Sequence, residues 1–116
     1  MKFIYEVQKE FSKNLFNPDN MTQDEKIALS KEYILCAHRE LSEALNVLPW
    51  KSHRKYDNKD FDKYEYVEEL VDVMKYLLNL LIIYKIPIQD FEQIFMNKSK
   101  IVQERYEAEK EHINHL

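Results

Sequence analysis

YEYVEELVDVMKYLLNLLIIYK, residues 64–85, is the stretch that decides the fold. After Asp72 it is apolar almost all round, and its polar positions fall on one stripe: Glu65, Glu68, Glu69, Asp72, Lys75 and Asn79. A helix of that kind belongs in the middle of a bundle, because only packing from several sides removes so much apolar surface from water. Its most apolar run, Val73 to Ile86, contains Lys75, Asn79 and Lys85 and falls short of the roughly 20 residues that a membrane span needs. The expectation is a buried helix and no membrane.

Three more helices follow on either side. The first is predicted from about Lys2 to Phe16, stopping at the turn Asn17-Pro18-Asp19-Asn20. The second opens on a capping box, Thr22-Gln23-Asp24-Glu25, in which hydroxyl and carboxylate each satisfy an orphan backbone N–H, and Pro49 ends it near Leu48. It carries Ile27, Ile34, Leu41 and Leu48 at heptad spacing, with Ser30, Ala37 and Ala44 as a parallel stripe of small residues. Residues 49–63, PWKSHRKYDNKDFDK, form a polar connection, and a fourth helix runs from about Gln89 towards His112. The fold class is all-α: a single domain over residues 1–116, a four-to-five-helix bundle short enough that a second copy would help complete its core.

Composition removes several functions. The chain has no glycine, which excludes glycine loops that bring backbone close to phosphate, both the P-loop and the dinucleotide fingerprint. Its net charge is −4, with acids and bases mixed and no basic stripe, so no nucleic-acid partner is expected. The one cysteine, Cys36, has no partner for an internal disulfide and reads as a small core residue, and the start MKFIYEVQKEF is unlike a signal peptide. A reducing cytoplasm is the expected location.

The chemistry is concentrated in two acidic pairs. Glu40 and Glu43 share one helix face, as do Glu69 and Asp72 on the next helix, because positions i and i+3 lie about 5–6 Å apart. Such a pair is often only a solvated face. Glu69 and Asp72 are harder to read that way, because their helix has so little surface. Four carboxylates gathered between apolar helices need protons or cations, and magnesium suits them as a hard ion that takes carboxylate oxygens and leaves positions open for phosphate and water. A di-iron carboxylate bundle would require two Glu-x-x-His motifs, and only Glu109 with His112 fits, at a helix end. His38, His53, His112 and His115 form no ligand cluster.

Candidate substrate contacts lie on the other helices. On the fourth, Lys98 and Arg105 occupy the stripe of Phe91, Ile94 and Ile101, where they either snorkel at a bundle edge or reach phosphates. On the first, Gln8 shares a stripe with Ile4, Phe11 and Leu15; its amide needs a structural partner or a nucleobase edge. Trp50 and Lys51 follow the second helix, with Trp50 either closing the core or packing on a base or ribose.

Glu40-x-x-Glu43, a spacer and Glu69-x-x-Asp72 together resemble the hallmark of the all-α nucleoside triphosphate pyrophosphohydrolases, which include MazG proteins and the dimeric dUTPases. Within them, HRELSEALNVLPWKSHRKY (residues 38–56) and YVEELVDVMKYLLNLLI (residues 66–82) resemble the dUTPase and phage dCTPase-dUTPase branch. The features are Pro49-Trp50-Lys51, Asn79 in the apolar run, the late cations Lys98 and Arg105, and the early Gln8. Lys75 stands where that branch usually has histidine, and His53 where it often has a second tryptophan. The resemblance implies cleavage of a pyrimidine deoxynucleoside triphosphate such as dUTP or dCTP to its monophosphate and pyrophosphate, with MazG-type breadth as the alternative. It implies that Glu40, Glu43, Glu69 and Asp72 hold two or three Mg²⁺ ions, replaceable by Mn²⁺, and orient the attacking water. It implies that Gln8, Trp50, Lys51, Asn79, Lys98 and Arg105 bind substrate, in a homodimer or dimer of dimers. A reading of a different class is a non-enzymatic helical module whose acidic stripe meets a basic partner.

Overall fold

The computed structural model describes residues 1–51 and 60–115, in which the chain is helical with no strand. The helices are α1 (Lys2–Ser12), α2 (Gln23–Val47), α3 (Lys63–Ile83) and α4 (Ile88–Asn114), with a 3₁₀ turn at Pro18–Asn20. No helix among the described residues is long and apolar enough to cross a membrane.

Local chemistry sets most of the ends. Thr22 Oγ1 accepts from Glu25 N while Glu25 carboxylate accepts from Thr22 N, so both halves of the predicted capping box form. Asp62 caps α3 by accepting from Tyr64 N and Glu65 N. α1 stops at Ser12, one turn before the Phe16 expected from sequence, and the chain enters the 3₁₀ turn where Asn17 Oδ1 accepts from Asp19 N. Lys85 adopts φ 55 in the tight reversal between α3 and α4, and its ammonium pairs with Asp19.

Packing centres on the α2–α3 pair, with α1 laid against α3 and α4 meeting α1 only sparsely. The small-residue stripe of α2 makes the close approach: Ala37 and Ala44 are buried, Ala44 to 1% exposure. The larger stripe of Ile27, Ile34 and Leu41 points outward and is exposed, so of the two parallel stripes the small one faces α3. α1 shows the same inversion. Its buried face is Tyr5, Gln8 and Ser12, whereas Ile4, Phe11 and Leu15 are exposed. Tyr5, Leu78, Ile82 and Ile88 form the core, and Tyr5 Oη donates to Ile86 O at 2.8 Å.

α3 is therefore not enclosed within the chain. Leu78, Asn79, Ile82 and Ile83 are buried, but Val67, Val71, Met74 and Leu77 are exposed on its other side. α4 has only Ile88 buried, and Ile94 is 64% exposed. Lys98 and Arg105 are exposed on α4 and face no bundle within the chain. The accessible surface is 9443 Å² for a 14.2 kDa chain, against about 6800 Å² for a compact monomer of that mass. The radius of gyration is 19.0 Å, where a compact domain of this length has about 13 Å.

Candidate functional site

The acidic pairs meet across the α2–α3 contact. Glu40 lies between Ala37 and Ala44 on the face of α2 that packs on α3, so the small side chains that let the helices approach also bring its carboxylate to α3. One carboxylate oxygen each from Glu40, Glu43 and Glu69 lies within 4.8 Å of the others. Asp72, one turn beyond Glu69, is outside this trio but lines a pocket with Glu40.

The electrostatics of the trio are unbalanced. Glu69 Oε2 is buried without a hydrogen-bond partner. Burial, then the negative charges of Glu43, Asp72 and Glu40, and last a hydrogen bond that the protonated group makes with Glu43, push the Glu69 carboxyl above the usual carboxylate range, so the oxygen lacks a partner only as a carboxylate. Arg39 Nη2 donates to Glu40 Oε1 at 3.2 Å and offsets part of the charge from one side. A buried acidic oxygen on a carboxyl gathered with two others is satisfied either by a proton shared with Glu43 or by a hard divalent cation, which would also remove the repulsion. Acid clusters also occur without ions, so the orphaned oxygen is the more specific feature.

Two pockets flank the acids. One of about 620 Å³ is lined by Glu43 and Glu69 together with Trp50, Lys51 and Phe61. Trp50 is 48% exposed and does not close the core, and Lys51 Nζ sits 5.8 Å from its ring centroid. The other, of about 280 Å³, is lined by Glu40 and Asp72 together with Gln8, Lys75, Tyr76 and Asn79. The acids thus separate an open, wide pocket with an aromatic and a lysine from a smaller one with buried amides. A larger hollow of about 680 Å³ beside Tyr5, Lys9 and Lys85 contains none of the acids.

Of the residues singled out in the sequence, Glu40, Glu43 and Glu69 come together with Asp72 beside them. Gln8 and Asn79 pair with each other, and Trp50 and Lys51 stand at the wider pocket. Lys98 and Arg105 line neither of these two pockets, and neither makes an ion pair among the described residues. His53 lies outside the described residues. Sequence reasoning passed over Arg39 and Tyr76. Arg39 had a signal in its place beside Glu40. Tyr76 reads as one more apolar-face aromatic, and its tilted contact with Tyr33, 5.6 Å between centroids, supports that role as well.

No family model, no curated protein and no solved structure matches this chain.

Proposed function

We propose that the protein is a Mg²⁺-dependent nucleoside triphosphate pyrophosphohydrolase acting on a pyrimidine deoxynucleotide such as dUTP or dCTP. The observation that carries this reading is the convergence of Glu40, Glu43 and Glu69, with one Glu69 oxygen buried and unpartnered. Bound magnesium would supply positive charge to the phosphate oxygens and acidity to the attacking water. Glu40, Glu43, Glu69 and Asp72 would hold the metal, and a carboxylate of this set would take the proton of the water as it attacks. Trp50 and Lys51 suit the sugar or phosphate end of the substrate, Lys51 as a point charge, while Gln8 and Asn79 suit a base edge.

A dimer belongs to the same proposal. The exposed apolar faces of α1, α3 and α4, and a surface about 2600 Å² larger than a compact monomer's, are what a chain with an uncovered interface shows. α4 is free to lie against a second copy, which is how Lys98 and Arg105 would come to serve the phosphates. The module reading has the exposed Glu43 in its favour, but a surface that binds a basic partner has no use for a buried, orphaned Glu69 oxygen.

Pyrophosphate release from dUTP, dCTP, dATP and dGTP, with Mg²⁺ and with EDTA, tests the reading. Turnover is expected only with metal, with at least ~10-fold higher kcat/KM on the preferred pyrimidine than on purines, about 1.4 kcal/mol. Equal rates on all four bases would favour MazG-type breadth. No pyrophosphate from any of them would leave the interaction module.

A further inference from the structure

The amides of Gln8 and Asn79 form a relay whose polarity is set by Lys75. Lys75 Nζ donates to Gln8 Oε1 at 3.2 Å, and Gln8 Nε2 donates to Asn79 Oδ1 at 3.0 Å. An ammonium has donors only, so Gln8 must turn its oxygen to Lys75 and its nitrogen to Asn79. Asn79 must then meet that nitrogen with its own oxygen. Reversing either amide would place donor against donor in a site where both side chains are only 3% exposed. The orientation of both amides thus follows from the charge at position 75.

The consequence lies at the far end of the relay. With its oxygen committed to Gln8, Asn79 has its amide nitrogen left to offer, and Asn79 lines the pocket that also holds Glu40 and Asp72. Among the described residues no acceptor meets that nitrogen. We propose that Lys75 is a specificity-determining positioning residue: through Gln8 it holds the Asn79 amide as a donor towards the pocket, so the base edge seated there offers a carbonyl, as uracil does at C4, and not an exocyclic amine, as cytosine does. This rests on the proposed triphosphate hydrolysis and assigns its preferred base. An amine at that place would leave donors facing donors, and a buried amide without its partner discriminates strongly.

The test is kcat/KM for dUTP and dCTP with Mg²⁺, measured on the full chain and on Lys75→Met, Lys75→Arg and Gln8→Glu. The unmodified protein is expected to favour dUTP by at least ~10-fold. Lys75→Met frees Gln8 to turn, and the ratio should fall to within about threefold of unity, chiefly through a higher KM for dUTP. Lys75→Arg, again a donor only, should keep the preference. Gln8→Glu presents acceptors to both neighbours, turns Asn79 round, and should move the preference towards dCTP; it also serves if Lys75→Met does not fold. A preference for dCTP in the unmodified protein overturns the inference. So does a Lys75→Met variant slowed equally on both bases, or a ratio that Gln8→Glu leaves unchanged. Turnover with an unmoved ratio ends this inference alone, whereas the absence of turnover on every triphosphate ends the hydrolase reading and this inference with it.

Discussion

α3 and α4 are both long helices carrying several large apolar side chains, and they meet opposite fates. The second half of α3 buries Leu78, Asn79, Ile82 and Ile83 against α1 and α2. α4 is longer, 27 residues, and buries Ile88 alone, while Ile101, Val102 and Tyr106 stand exposed. Both are helical because good formers dominate them, and α4 adds Gln93–Asn97 and Gln103–Glu107 hydrogen bonds one turn apart. An isolated helix is marginal in water, however, and an amphipathic one is stabilised mainly by what covers its apolar face. The contrast teaches that the α2–α3 contact, where the acids meet, forms within one chain even though the outer faces of both helices stay exposed. α4 leaves its apolar side chains uncovered by the rest of the chain.

The sharpest way to break this comparison is at the acids. Glu69→Gln or Asp72→Asn should lower pyrophosphate release at least ~10²-fold, the scale of one lost electrostatic stabiliser. Near-normal turnover in both variants would remove the α2–α3 contact as the site. Next in size is assembly. Light scattering at micromolar concentration should report at least twice the 14.2 kDa chain mass, and Ile94→Asp with Ile101→Asp on α4 should return the monomer. Ala44→Leu gives the opposite pattern: at a residue 1% exposed in the α2–α3 contact it should cost about 1–3 kcal/mol in chemical denaturation without separating the copies. A clean monomer with full activity would show that α4 needs no cover.

The smallest effect concerns Glu69 without metal. Its carboxyl is held above the usual range by burial and by Glu43, so the folded chain keeps a proton there that the unfolded chain has already released. The folded state then binds more protons, and stability falls as pH rises through the interval between the usual carboxylate value and the raised one. In EDTA, the Tm of the unmodified protein should decline across that interval, and Glu69→Gln should flatten the decline. Parallel curves for the two proteins would show that Glu69 ionises in the folded chain as it does in the unfolded one.

Part of the acidic cluster was legible in the sequence. Two i, i+3 acid pairs put Glu40 beside Glu43 and Glu69 beside Asp72, because helical spacing is rigid, and the α2–α3 contact then brought three of the four together. The capping box at Thr22 was equally legible, since its four residues satisfy one another. The partnering of Gln8 was not. A buried amide announces that it needs a partner but not which one, and Asn79 and Lys75 are distant in the chain.

What the sequence by itself determined is the set of helices, their starts and the pairing of the acids, all of which depend on contacts within a few residues. Only the tertiary structure decided which stripe of each helix faces inward. On α2 the alanines won over Ile27, Ile34 and Leu41, and on α1 Tyr5, Gln8 and Ser12 won over Ile4, Phe11 and Leu15. Periodicity marks an apolar face without saying what covers it. The closest packing goes to the smallest side chains, and a chain this short cannot cover every apolar face it carries.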